Sequence, residues 1–486
     1  MAVLRRSIPA IALCFGLAAC EVGPDYQLPR GAVVNAPVAQ GAFAGARNAA
    51  ITTAKPAAQW WRLYHSAVLD GFITQALAAN TDLRVADANL ERAHALLQAA
   101  RVARQPTVGF DFETNYGQLS AEQYIQPRLI PTSVFYDLGL SASYEVDLFG
   151  RLKRGIEAAH ADDEAALAAR DLARVAVAAA TTGAYTDYCS AGEELAAARR
   201  TLALTRRRFV YVRNLLTAGR GTTLEVTEIR GLVAQTESDI PVFQARQRNA
   251  LFRIATLTAR PPEKSGIAIS DCNGAAVLAV PIPVGDGASL LRRRPDVREA
   301  ERELAAATAR IGVATADLYP DVTLGATVGS TGVMTDILKP LTNRYGVGPG
   351  ITWELNQNAA RARIDAAEAQ TRAALARFDG VVLDALRETE TALSNYAHAL
   401  DRDDKLREAR ARAQQAFADS VRLESAGRTD SLQTLDAERT LASAEFAVAA
   451  SQSEIASDQV ALFLALGGGW ENAPAVRDAV KSASRP

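Results

Sequence analysis

The chain has 486 residues, 49% of them apolar and 22% charged, with a formal net charge of -2. That length allows more than one domain, and that apolar share excludes a disordered chain. So even a charge balance makes nucleic acid a poor partner.

Arg5 and Arg6 precede a short apolar run, Ile8 to Leu17, which leads into Leu17-Ala18-Ala19-Cys20. The run is too short to span a bilayer and has the layout of an export signal over residues 1–19. Small residues before a cysteine point to lipoprotein processing, with Cys20 the acylated first residue of the mature chain. An ordinary signal with an incidental cysteine is the alternative. Glu21 in the next position is compatible with an outer-membrane destination. No other segment reaches the ~18 apolar residues of a spanning helix. A mature chain that crosses a membrane must therefore do so as a closed β-barrel. Cys189 and Cys272 are the cysteines left after Cys14 departs and Cys20 is acylated. Export permits a disulfide between them, and two separate buried thiols are the other possibility.

Residues 20–58 are rich in Gly, Pro and Ala and read as an extended, lipidated segment. Helical patterns follow over 66–80 and 81–105, where Pro106 stops the second. The period then changes to two. Val108, Phe110, Phe112 and Tyr116 alternate with Gly109, Asp111, Glu113 and Asn115. Leu138, Leu140, Ala142, Tyr144 and Val146 do the same over about 135–148. These are strands with one apolar and one polar face.

Two proline-free stretches, Arg151 to about Thr217 and about Ala359 to Ser425, read as helices of ~67 residues, or ~100 Å each. Helices of that length need coiled-coil-like partners. Each ends at an Ala-Gly-Arg, where Gly219 and Gly427 suit a C-terminal cap. Thr222 or Thr429 then caps a return helix.

The chain repeats itself. Thr81-Asp82-Leu83 returns as Pro295-Asp296-Val297, and Ala218-Gly219-Arg220 as Ala426-Gly427-Arg428. The offset is 208–214 residues. The second copy has strands at about 321–331 and 345–355. Repeats are thus expected over 59–284 and 285–470, with 471–486 a loose tail. Four strands, apolar on one face and polar on the other, suit a membrane barrel with a wet lumen, and a half-buried soluble sheet is the alternative. They cannot close a barrel alone, since the smallest need about eight. Three copies would give about twelve.

Cys20-Glu21-Val22-Gly23-Pro24-Asp25-Tyr26, Trp60-Trp61-Arg62-Leu63-Tyr64, Arg294-Pro295-Asp296-Val297 and Ala465-Leu466-Gly467-Gly468-Gly469-Trp470 resemble landmarks of one family. It is the TolC-like outer-membrane factors of resistance-nodulation-division efflux pumps, in their lipoprotein branch. The resemblance covers nearly the whole mature chain. It implies a homotrimer, mainly α with membrane β, forming a 12-stranded β-barrel and a periplasmic α-helical barrel. It implies a periplasmic adaptor and an inner-membrane pump as partners, outer-membrane lipid around the strands, and no cofactor beyond the lipid on Cys20. A duct for drugs or other small toxic compounds is then expected. A type I protein-secretion duct and a non-pore periplasmic structural lipoprotein are the alternatives.

In that family, acidic residues just past the helix tips narrow the periplasmic mouth. Asp436 matches such a position, while its neighbour is Gln433, a departure. Glu225 occupies the related place in the first copy, Glu228 corresponds to Asp436, and Asp430 lies nearer the tip. The plain alternative is helix N-terminal acids favoured by the macrodipole. Gly219, Arg220, Gly427 and Arg428 are candidate adaptor contacts, or simply helix caps.

No enzymatic constellation is legible. His65, His94, His160 and His398 lack metal-ligand spacing. The run Asp162-Asp163-Glu164 reads as a solvated helix face. Met334 is the one methionine of the mature chain, which argues against a thioether relay for soft metals.

Overall fold

A computed structural model describes residues 21–471, except 121, 123–128, 265, 267, 268, 270, 271 and 273. The expected signal, Cys20 and residues 472–486 lie outside the described residues. The main elements are α1 (Ala67–Ala79), α2 (Thr81–Val102), β1 (Thr107–Gly117), β2 (Ser133–Val146), α3 (Arg151–Thr217) and α4 (Thr223–Leu257). The same order follows as α5 (Gly287–Arg293), α6 (Pro295–Ala316), β3 (Asp321–Val333), β4 (Asn343–Thr352), α7 (Asn358–Ser425) and α8 (Ser431–Ala465). The two halves thus carry the same order of elements. The offset falls from 214 to 208 because the strand-to-strand connection is residues 118–132 in the first copy and only 334–342 in the second.

The compact units cut across these copies. Among the described residues, one holds 21–29, 90–166 and 300–378, and the other 30–89, 167–299 and 379–471. Each long helix contributes its first part to one unit and the rest to the other.

The first unit contains a four-stranded antiparallel sheet in the order β1-β2-β3-β4. Its register lines apolar residues into rows. Phe110, Leu140, Val328 and Tyr345 face each other across all four strands, as do Val108, Ala142, Ala326 and Val347. Directly paired residues share a face, and this one is bare: Phe110 is 66% exposed and Val347 87%. The opposite face pairs Asp111 with Gly139, Glu113 with Asp137, and Glu145 with Thr323, and Arg344 pairs with Asp137. Among the described residues, β1 and β4 are the outer strands, each with one edge unpaired.

Asp147 starts α3, accepting from the amides of Leu152 and Lys153 at 3.1 and 2.8 Å. The run Asp162-Asp163-Glu164 is not the solvated face expected. Asp162 pairs with Arg310 (2.5 Å), Glu164 with Arg302 (3.2 Å), and Asp163 faces His94 (3.7 Å). α3 turns these acids toward α6 and α2, and their partners lie there.

The second unit holds the main core. Trp60 is 1% exposed and stacks on Phe463 with ring centroids 4.5 Å apart. Leu69, Ile73, Ile254, Leu290, Leu393 and Leu462 are buried around them. Residues 30–58 are irregular but docked: Phe43 and Ile51 are buried, and Ile51–Thr52 pairs in parallel with Ile282–Pro283. The linker between the two halves, residues 258–286, is held at two further points. Cys189 and Cys272 form a disulfide, with Cα atoms 5.2 Å apart, and Leu278 exchanges two hydrogen bonds with the Gln459 amide.

Three of the four family landmarks, those at Trp60, Arg294 and Ala465, meet here. Arg293 Nε donates to the Leu466 carbonyl at 2.7 Å and Arg294 Nη1 to that of Ala465 at 2.9 Å. These are carbonyls left open at the end of α8. Arg294 also forks onto Asp296 (2.6 Å) and Glu388 (2.8 Å). Trp470 closes the junction by donating to the Arg293 carbonyl at 3.0 Å, with Arg298 over its ring. These motifs hold a joint together.

Candidate functional site: the tips of the helix hairpins

Two helix–turn–helix tips, α3 to α4 and α7 to α8, lie in the second unit and are built alike. The Gly219 amide donates to Leu216 O and the Arg220 amide to Leu215 O, at 3.0 and 2.9 Å. Gly427 and Arg428 repeat this on Glu424 and Leu423, both at 2.9 Å. Each is a Schellman cap, which needs a left-handed residue. Gly219 and Gly427 supply it, with φ of 70° and 67°. Both glycines are exposed and have open space around the missing side chain, so the tips are bare. Arg220 and Arg428 follow them, and both are exposed.

The return helices differ in their caps. Thr222 caps α4 in a full capping box: its hydroxyl accepts from the Glu225 amide, while Glu225 Oε2 accepts from the Thr222 amide at 2.6 Å. α8 is capped by Asp430, which accepts from the Gln433 amide at 2.9 Å. Thr429, expected as a possible cap, instead donates its hydroxyl to the Gln433 side chain. Gln433 thus occupies the capping-box position that Glu225 holds in the first copy.

The four acids have different surroundings. Asp430 is occupied as a cap. The Glu225 carboxylate accepts from the Ser431 hydroxyl as well as from Thr222, which holds its pKa below the ordinary value. Glu228 Oε2 is buried with no hydrogen bond among the described residues. The Asp436 side chain is 81% exposed and only 3.9 Å from Arg439. Sequence had grouped them as one acidic constriction. Asp430 and Asp436 are both exposed, and of the two only Asp430 is engaged as a cap.

A charged hub behind the tips was not legible in the sequence. Arg208 of α3 pairs with Glu424 of α7 at 2.6 Å, and its Nη2 donates to the Ser431 carbonyl of α8 at 3.3 Å. Glu438 of α8 is 3% exposed, and no hydrogen bond of good geometry reaches either oxygen among the described residues. Thr205 stands beside it but donates to the Thr201 carbonyl at 3.0 Å. Burial pushes the Glu438 pKa up, and the Glu424 charge adds to this against the opposing pull of Thr205 and Arg208. Val212, Ile229 and Leu435 form a small apolar core alongside. Each of α3, α4, α7 and α8 is therefore tied to a partner from the other copy of the repeat. Paired charges of this kind hold helix ends together. No group of three or more metal-ligating side chains occurs among the described residues.

The family model for outer membrane efflux proteins matches residues 72–260 and 288–468. The outer membrane protein OprJ of Pseudomonas aeruginosa is 30% identical over 474 residues, covering 96% of each chain. Nodulation protein T of Rhizobium leguminosarum bv. viciae is 28% identical over 93% of this chain and 92% of its own. Among solved structures, the outer-membrane channel OprN superposes with a TM-score of 0.86 at 34% identity, over 93% of this chain and all of that one.

Proposed function

The chain belongs to the outer membrane efflux protein family, and from that membership we propose that three copies assemble into a closed duct through the outer membrane. It is the outer-membrane component of an efflux system. The observation that carries the trimeric reading is the sheet: one bare apolar face, one acid-bearing face, and an unpaired edge on each of β1 and β4. A strand edge within lipid must be paired. Joining β4 of one copy to β1 of the next, three times over, closes twelve strands, an even number within the range of such barrels.

The apolar rows then meet lipid and the acids face a watery lumen. α3, α4, α7 and α8 form the periplasmic tunnel. The cargo is drugs or other small toxic compounds, delivered by an inner-membrane pump through a periplasmic adaptor that grips the tips at Gly219, Arg220, Gly427 and Arg428. A lipid on Cys20 adds an anchor, and no other cofactor is required. The gate has two parts: Asp436, repeated three times about the axis, narrows the mouth, and the Arg208 hub holds the hairpins together. Glu225, Glu228 and Asp430 support that mouth through capping and packing. Clustered carboxylates favour cations over anions.

Planar-bilayer recording on purified trimers tests this. Asp436→Asn is expected to reduce cation preference. Unchanged selectivity, or a protein that never forms a heat-modifiable trimer, counts against it. Growth of a deletion strain across a panel of toxic compounds identifies the cargo.

A further inference from the structure

The first residues of the mature chain are seated in a built site. Arg154, in the first turn of α3, is 3% exposed. Its guanidinium contacts Glu21 Oε1 (3.2 Å), Asp25 Oδ1 (2.7 Å) and Glu157 Oε2 (2.8 Å), and donates to the carbonyls of Val22 and Gly23, both at 3.3 Å. Lys153 takes the other Glu21 oxygen. The Val22 amide donates to Phe149 O at 3.2 Å.

Two glycines let the segment lie down. Gly23 has φ of 89°, and a Cβ there would come 2.4 Å from the Gly312 Cα. A Cβ on Gly312 would come 2.7 Å from Arg154 Cγ. Tyr26 ends the contact, donating to Glu301 at 3.3 Å under the Arg302 guanidinium. The motif from Glu21 to Tyr26 is therefore held by three side chains, Glu21, Asp25 and Tyr26, and by the backbone of Val22 and Gly23.

The site lies at the foot of β2 and β3. Phe149 follows β2 and stacks on Tyr319, just before β3, with ring centroids 4.5 Å apart. Trp353, just after β4, donates to Leu318 O at 3.1 Å and is 51% exposed. Exposed aromatics at strand ends mark the bilayer interface of membrane barrels.

We propose that Arg154 is an internal receptor for the mature N-terminus, and that it fixes the lipid on Cys20 at the depth of this aromatic rim. Residue 20 is one peptide, ~3.8 Å, from Glu21. Acyl chains there enter the leaflet beside the strand feet, so anchoring and strand insertion share one level. Arg154 is thus a positioning residue, and this role rests on the lipoprotein reading.

The test separates positioning from plain packing. Three variants are made in the full-length chain: Arg154→Ala, the double change Glu21→Gln with Asp25→Asn, and a Ser-Gly spacer of six residues after Cys20. The spacer keeps the clasp and lets the lipid wander by up to ~20 Å. Palmitate labelling and heat-modifiable trimer in the outer membrane are measured together. All three are expected to keep the label and to lose about tenfold in trimer. A harmless spacer beside a damaging Arg154→Ala makes the site merely structural and overturns the proposal. So does full trimer in the double variant. A native chain without label removes the lipid reading, and the proposal with it; a failed clasp differs in keeping the label.

Discussion

The Ser431 hydroxyl, at the start of α8, donates to the Glu225 carboxylate in the first turn of α4. The two residues stand 206 positions apart, one in each copy of the repeat. One carboxylate thus caps its own helix and grips the other hairpin. Glu225→Gln leaves Thr222 as the cap but replaces a charged acceptor by a neutral one in both contacts, which should cost about 1 kcal/mol. Because its folded pKa is lowered, Glu225 adds stability above its unfolded value of 4.5 that is lost as pH falls through the folded one. The acid limb of a melting-temperature profile should flatten in the variant. If Ser431→Ala is additive with Glu225→Gln in a double-mutant cycle, the contact across hairpins is absent.

Glu438 has the opposite sign. Its folded pKa is raised, so the folded state holds the proton more tightly than the unfolded one. Above the unfolded value of 4.5, stability then declines as pH rises toward and through the folded pKa. Glu438→Gln should melt higher than the native protein at pH 8 and show less dependence on pH. A variant that melts lower at pH 8 would show that the ionised form is stabilising.

Arg208 balances two buried acids. Arg208→Ala should cost about 3–5 kcal/mol locally by leaving Glu424 and Glu438 without a cation. Adding Glu424→Leu should recover part of the loss. Hydrogen exchange at the amides of residues 431–440 reads this directly, and unchanged protection there would remove the hub from the account.

The Cys189–Cys272 bridge ties the linker between copies to α3, across a separation of 83 residues. Cys189→Ser should cost about 2–5 kcal/mol, judged by the usual effect of losing such a bridge. Denatured native protein should run faster on a gel without reductant than with it, and the variant should show no such difference.

What the sequence reveals here follows from range. The strands were legible because alternation is local: Phe110 and Leu140 announce a face within ten residues. The long helices were legible because proline is missing from them. Arg154 and Arg208 were silent, since their partners lie from three residues to more than two hundred away, at Glu157, Asp25, Glu424 and Ser431. Thr429 is the cap expected for α8, and Asp430 takes that place one step of register on, because both side chains can accept from an amide. The pairing of the two cysteines needed the fold of the linker, and parity alone left it open. The compact units escaped altogether, because repeats describe how the chain arose and contacts describe where it packs.

The unpaired edge of β4 carries a consequence for transit. Before copies join, a bare strand edge invites pairing with any other chain. β4 contains Gly346, Gly348, Pro349 and Gly350, residues with little intrinsic taste for a strand, and Pro349 has no amide hydrogen to offer. The seam through which copies would join is thus the strand least able to start an association by itself. Its plainness acts as a safety catch, and valines at those positions would make the traveller stickier before they made the finished object stronger.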